Sequence, residues 1–234
     1  MISIIIPYFN NWSLTYERLG EIYKHLTGDF EVVLVNDAST DLDCRASAGW
    51  WMKYITRFPV RYVENSKNLG FGGSHNKGAK KASGNILVFL SNDVVISGNF
   101  LPKIEAILYE HKNEVIVAGE VLSNDTGWNM IFLHGKPAII SYPVGWLIAV
   151  SRDMWKRIGG WDVETYGKFD YEDVDLGAWA VYNGVDIAGL YLPFLKHLSG
   201  QTINPLHPDR EKYTIKNREA FRNKWTTKLE ERFP

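Results

Sequence analysis

Short apolar runs alternate with longer helical patterns through the first half of the chain. ISIII (2–6) leads into an amphipathic stretch from Ser13 to about Leu26, and EVVLVN (31–36) into one from Asp41 to about Arg57. VRYVEN (60–65) leads into a Gly-rich segment and a short helix over about 74–82. NILVFL (85–90) precedes a helix over about 99–111, and EVIVAG (114–119) comes next. Runs this uniformly apolar fit strands buried on both faces. Their alternation with helices predicts an α/β domain around a mainly parallel central sheet flanked by helices.

Beyond residue 120 the rhythm changes. Residues 120–145 read as hairpin and loop, and Gly145 to Val150 as a further strand. Ser151 suits the N-cap of a short helix that stops at Gly159-Gly160. Glu172 to about Asn183 reads as a helix with Gly184 as its C-cap. The tail from about Asp209 to Glu231 reads as a helix of alternating charge. The expected division is one domain over residues 1–200 and a helical tail, 201–234, packed on it or extending it.

Composition narrows the class. The 234 residues are 45% hydrophobic and 23% charged, as in a soluble domain able to bury a sizeable core. A net charge of −1 offers no global field for nucleic acid. Nine Trp and twelve Tyr suit a carbohydrate or nucleotide site, and equally an aromatic core. The one cysteine, Cys44, excludes a disulfide within the chain and fits a reducing compartment. The opening MISIIIPYFN has neither the basic region nor the cleavage site of a signal peptide. The stretch Ala138 to Val150 is too short to span a bilayer. The expected location is therefore cytoplasmic. Lys212, Lys216, Arg218, Arg222, Lys224 and Lys228 of the tail would suit peripheral contact with an anionic membrane, although a solvated helix is the simpler account.

Candidate chemistry collects at the strand ends, where open α/β sheets bind ligands. The first strand ends in Pro7-Tyr8-Phe9-Asn10, the second in Asn36-Asp37 before Ala38-Ser39-Thr40-Asp41, the third at Asn65 before Asn68, and the fourth in Ser91-Asn92-Asp93. One polar strand end is an ordinary turn or cap; four on one rim point to a site.

SIIIPYFN, VVLVNDASTD, NLGFGGSHNKGAKKASGNILVFLSNDV, GGWDVETYGKFDYEDVDL and the later His197 are also where the sequence resembles the family 2 glycosyltransferases of GT-A fold, over roughly residues 1–200. The third segment resembles the branch that includes many rhamnosyltransferases. The resemblance implies inverting transfer of a hexosyl or deoxyhexosyl group from a UDP- or dTDP-linked donor to a glycan or lipid-linked acceptor. It implies donor contacts at Pro7, Tyr8, Asn10, Asp37, Asn68, Gly70, Asn76, Ser91 and Asn92. Asp37 would accept from the N3–H of a pyrimidine, Tyr8 would stack on the base, and Gly70 would let the backbone approach the nucleotide. Asp93 matches the last carboxylate of the family's D-x-D motif and His197 a further metal ligand, for Mn²⁺ or Mg²⁺ on the donor phosphates. Ser91 departs from the motif's first acid and would contact ribose or a metal-bound water.

Asp170-Tyr171-Glu172-Asp173-Val174-Asp175 places four acids at a helix start. One or two would suit the helix dipole, whereas four within six residues repel one another. Glu172-Asp173 matches the family's E-D pair. Asp173 is then the catalytic base for the acceptor hydroxyl, Glu172 holds sugar hydroxyls, and Asp175 is structural. Trp161 and Trp146 are candidates to stack on a sugar or to pack in the core. Two other classes compete. A catalytically inactive nucleotide-sugar or glycan-binding module would explain Ser91 but needs no E-D pair. A nucleotidyltransferase would want a basic Gly-rich loop after the first strand, and PYFNNWSL has no basic residue.

Overall fold

The computed structural model describes residues 1–41, 47–48, 58–199 and 210–234. Its centre is a sheet of seven strands in the order β12-β6-β11-β4-β1-β2-β3. These are β1 (Ile2–Tyr8), β2 (Phe30–Asn36), β3 (Val60–Glu64), β4 (Ile86–Leu90), β6 (Val115–Ala118), β11 (Leu147–Ser151) and β12 (Asp186–Gly189). Every neighbouring pair is parallel except those of β11, which runs antiparallel between β4 and β6.

The uniform apolar runs have the predicted cause. Ile4 and Ile6 of β1, Val32 and Leu34 of β2, and Val88 and Leu90 of β4 pack with Leu19 and Ile22 of α1 (Trp12–His25). Ile5, Val33, Val35, Leu87 and Phe89 point the other way, onto Ala79 of α2 (Gly70–Lys81) and onto Trp155, Trp161 and Leu176. Alternate side chains thus fill two cores, and the polar residues near the start of β1 and β2, Ser3 and Glu31, are buried as a pair, Ser3 Oγ donating to Glu31 Oε1. Gly78 lets α2 lie on the sheet, since a Cβ there would come within 2.4 Å of Ile5 Cγ2.

The remaining elements arrange the rim of the sheet. β5 (Val94–Ile96) pairs antiparallel with β13 (Leu195–His197), and α3 (Leu101–Glu110) leads to β6. Residues 120–145 form two small hairpin pairs: β7 (Val121–Leu122) with β10 (Tyr142–Pro143), and β8 (Met130–Leu133) with β9 (Lys136–Ile139). Ser151 caps α4 (Arg152–Ile158) by accepting from Met154 N, and Gly159 ends it in the left-handed region. Then come α5 (Val163–Tyr166), α6 (Glu172–Asn183) closed by Gly184, and α7 (Arg210–Arg232).

Two readings need amendment. The helix predicted over 74–82 starts at Gly70, because the Asp37 carboxylate accepts from the N–H groups of Leu69 and Gly70 and caps α2 from another strand. The tail is not a solvated helix. Asn217, Phe221, Trp225 and Leu229, spaced by four, bury against a core that includes Tyr171, Val174 and Ala178. Three of its basic residues turn inward: Lys224 to Asp162 and Asp175, Arg218 to the Tyr171 hydroxyl, and Arg222 to the Met130 carbonyl. The helix expected from Asp41 to Arg57 falls almost wholly outside the described residues. Among the described residues no helix is long and apolar enough to cross a membrane.

Candidate active site

A cavity of about 330 Å³ opens beyond the carboxyl ends of β1, β2 and β4. β4 stops at Leu90, and the chain turns through Ser91 and Asn92 into β5. Asp93 sits in this turn, buried, with Oδ1 accepting from Ser91 Oγ at 2.6 Å. The Ser91 hydroxyl therefore orients the carboxylate. The β5–β13 pairing sets His197 opposite Val94, and Leu198 N–H donates to the Asp93 carbonyl, so His197 Nε2 lies 3.2 Å from Asp93 Oδ1. Trp146 stacks on the imidazole with ring centroids 5.7 Å apart.

Among the described residues no group of three or more His, Cys, Asp or Glu side chains is placed to hold a metal. Asp93 with His197 makes an oxygen–nitrogen pair, too small for a closed site. It fits a divalent cation whose other ligands are phosphate oxygens and water.

Asp37 lies buried at the end of β2. Its Oδ1 accepts from Asn65 Nδ2 and Leu69 N, and its Oδ2 from Gly70 N. A carboxylate offers about four acceptor positions, so among the described residues one on Oδ2 remains. Beside it the Asn68 Oδ1 is buried without a protein partner among the described residues, which is an acceptor waiting for a donor.

The opposite wall carries the acids. Glu172 and Asp173 open α6 and both line the cavity, half-buried. Asp173 Oδ2 accepts from Gly145 N at 3.1 Å and Oδ1 from Val174 N at 2.8 Å. Burial pushes both carboxyls above their ordinary range. For Glu172 the Asp173 charge adds to burial; for Asp173 the Gly145 and Val174 N–H groups pull the other way. Two adjacent carboxyls of this kind separate into a proton holder and an ionised partner, and the hydrogen-bonded Asp173 is the one favoured as carboxylate.

The segment feeding these acids is held from α7. Asp170 and Tyr171 both take positive φ, 60° and 78°, although neither is glycine. Arg210 Nε bridges both Asp170 oxygens at 3.0 Å, and Thr214 Oγ1 donates to Oδ2. The buried Asn217 amide donates to the carbonyls of Tyr166, Phe169 and Asp170. Asp175 is structural, accepting from Tyr166 Oη, Trp225 Nε1 and Lys224 Nζ.

Pro7, Tyr8, Asp37, Asn68, Gly70, Ser91, Asn92, Asp93, Glu172, Asp173 and His197 all line this one cavity. Asn10 and Asn76 do not. Asn10 Oδ1 accepts from Thr40 N and Asp41 N and ties two loops together. Asn76 clamps Trp161, donating to its carbonyl and accepting from its N–H. Tyr8 shares the face of Ile2, Ile4 and Ile6 by strand alternation; it is only 2% exposed, which removes the ring face proposed for a base. Trp161 is likewise core, among Phe89 and Trp155, whereas Trp146 reaches the cavity. The freedom of Gly70 serves protein packing: a Cβ there would meet the Lys168 carbonyl at 2.4 Å. Sequence reading missed Arg210, Asn217 and Trp128. The four-residue spacing of Asn217, Phe221, Trp225 and Leu229 was a signal that Asn217 is buried; nothing in the local sequence marks Arg210 or Trp128.

The comparisons with known proteins bear on the fold and the family. The fold is that of the GT-A glycosyltransferases. Residues 3–154 match the family described as glycosyl transferase family 2, and the chain belongs to that family. A Haemophilus influenzae protein described as an uncharacterized glycosyltransferase is 26% identical over 190 residues, 74% of this chain and 60% of its own. A Mycobacterium bovis PGL/p-HBAD biosynthesis glycosyltransferase is 29% identical over 129 residues, 55% of this chain and 49% of its own. A mannosyltransferase from Pyrobaculum calidifontis, solved with GDP-Man and Mn²⁺, superposes with a TM-score of 0.69 at 17% identity, over 92% of this chain and 62% of its own. S. aureus TarS 1-349 with UDP gives 0.59 at 18% identity, over 81% and 58%. The chain thus spans less than two thirds of the length of each of these four proteins.

Proposed function

We propose that the chain transfers a hexosyl or deoxyhexosyl group from a UDP- or dTDP-linked donor to a hydroxyl of a glycan or lipid-linked acceptor, inverting the anomeric carbon. The observation that carries this reading is the pairing, across one cavity at the strand ends, of Asp93–His197 with Glu172–Asp173. Residues 1–200 would supply the catalytic domain and the tail the helix that holds its acidic segment.

Asp93 and His197 would hold Mn²⁺ or Mg²⁺. Bound there, the cation would offset charge developing on the diphosphate. Asp37, with its open Oδ2 position, would take the N3–H of the pyrimidine, and Asn68 Oδ1 a further donor from the nucleoside. The acceptor oxygen bonds to the anomeric carbon while the carbon–oxygen bond to the diphosphate breaks, its electron pair leaving with the phosphate oxygen. The acceptor proton passes to Asp173. Glu172, kept protonated by burial and by its charged neighbour, donates a hydrogen bond to a sugar hydroxyl. A single displacement inverts configuration, through a transition state resembling an oxocarbenium ion.

The test is a panel of UDP- and dTDP-sugars with Mn²⁺, Mg²⁺ or chelator. Release of nucleoside diphosphate supports transfer, and release of pyrophosphate would replace it with nucleotidyl transfer. Asp93→Ala should abolish the cation-dependent part of donor binding and leave the fold intact. Calorimetry showing unchanged donor affinity in Mn²⁺ would remove the metal assignment.

A further inference from the structure

The cavity has two unlike ends. The strand-end wall is polar and carries Asp37, Asn68, Asp93 and His197. The far wall carries Trp128, Tyr142, Phe169 and Tyr171 beside Lys168, Asp170 and Arg210, and of its four rings only that of Trp128 is not buried. Asp173 lies between, tied to Gly145 three residues after Tyr142.

Trp128 is presented on a fixed turn. Fully buried Asn129 accepts from Thr126 N and Thr126 Oγ1 and donates to the carbonyls of Asn124 and Ile140. The half-buried indole stacks on Tyr171, centroids 5.6 Å apart and 25° between planes, and Tyr171 immediately precedes Glu172 and Asp173. A rigid aromatic backed by another ring loses little entropy on binding. Burial pushes the Tyr142 phenol up and the Thr126 hydroxyl beside it pulls the other way, while the Asp173 charge adds to burial, so Tyr142 keeps its proton as a donor. The charges lining this end are Lys168 and Arg210 against Asp170 and Asp173, with Arg210 engaged by Asp170 and Glu172 protonated. They balance, so the aromatic surface and the hydroxyl donors set the preference, which suits a neutral ligand with hydroxyls and an apolar face.

We infer that this far wall is an acceptor subsite for an uncharged pyranose, with Trp128 as the platform under the C–H face of the ring. The inference rests on the proposed transfer reaction and names the class of its acceptor.

The test uses the full chain with p-nitrophenyl glucoside, galactoside and N-acetylglucosaminide as probes, glycerol 3-phosphate as an anionic control, and Trp128→Leu and Trp128→Phe as variants. Saturation-transfer NMR reads probe binding, and nucleoside diphosphate release over donor hydrolysis reads acceptor use. In Trp128→Leu the probe signal should disappear and the acceptor KM should rise about tenfold, the effect of losing one aromatic contact. Donor affinity and donor hydrolysis should hold, and Trp128→Phe should fall between. Should Trp128→Leu fail to fold, the graded loss in Trp128→Phe decides. Unchanged probe binding in a folded variant, or a donor affinity that falls by the same factor, would overturn the inference. So would glycerol 3-phosphate outcompeting the pyranosides. If no donor releases nucleotide under any condition, the transfer reading fails, while the NMR arm still judges the subsite.

Discussion

The rim at the strand ends and the acidic segment at the start of α6 hold carboxylates by different means. On the rim, backbone does most of it. Asp37 is fixed by the N–H groups of Leu69 and Gly70 together with Asn65, and His197 is brought to Asp93 by a strand pairing and one further backbone hydrogen bond. In the acidic segment, side chains from a distant helix do it. Arg210, Thr214, Asn217 and Arg218 grip residues 166–171, whose Asp170 and Tyr171 take left-handed conformations at a cost of about 1–3 kcal/mol each. A backbone-built site tolerates side-chain change. A side-chain clasp concentrates both strain and vulnerability, and here it does so beside the group proposed to move a proton.

The largest expected effect separates the chemistry of the two regions. Asp173→Asn keeps size and hydrogen bonding to Gly145 but removes the proton acceptor. Turnover should fall by ~10²–10⁴, the contribution of a positioned base, while donor affinity stays near wild type because its contacts lie on the rim. Rate, donor affinity and melting temperature on one sample decide it. A folded, donor-binding variant above about a third of wild-type turnover would return Asp173 to a structural role, such a loss being far below a general base's range.

A smaller effect should come from loosening the clasp. Asn217→Leu leaves three carbonyls without their shared donor. Stability should drop by about 1–3 kcal/mol. Turnover should drop by about 10–100-fold, since a displacement near 1 Å is enough to misplace the base. Donor affinity should change little. The rim control is Thr40→Ala, whose exposed hydroxyl contacts with Asn10 water can replace; within about 0.5 kcal/mol of wild type is expected. Equal losses in the two variants would show that the contrast between regions is not real.

The same contrast explains what was legible in the sequence. The inner strands β1, β2, β4 and β6 read clearly because their apolar runs fill two cores, whereas the half-exposed β12 went unread. α6 read to the residue, since its acids and Gly184 are local signals at its ends. α2 misread by four residues because its cap, Asp37, comes from a different strand end. β13 is three residues long, below what alternation can reveal, so only family resemblance pointed to His197. Arg210 and Asn217 went unseen because their work is on residues about forty positions away or more; the burial of α7 was readable from its spacing of four, but not what it grips.

The last effect is a pair of opposing pH dependences, one from the core under α2 and one from the acidic segment. His75 in α2 is fully buried between Phe71 and Phe89, and burial pushes its pKa from 6.5 down to about 3. The folded state then holds fewer protons than the unfolded one below pH 6.5, so His75 makes stability fall as pH falls, by up to about 1.4 kcal/mol per pH unit. Glu172 is raised above 4.5, by burial first and the Asp173 charge second. The folded state there holds the extra proton, so Glu172 makes stability fall as pH rises through its window. The two windows overlap between pH 4.5 and 6.5, and in the wild type their slopes oppose. His75→Leu should expose the acidic cluster alone, with stability relative to wild type improving as pH drops from 6.5 to 4.5. Glu172→Gln should expose the histidine, with the opposite trend. Urea unfolding of the three proteins at half-unit pH steps measures both slopes. Parallel profiles for all three would mean that neither group is perturbed by burial in the folded chain, and would remove the physical basis for dividing the proton-holding and proton-accepting roles between Glu172 and Asp173.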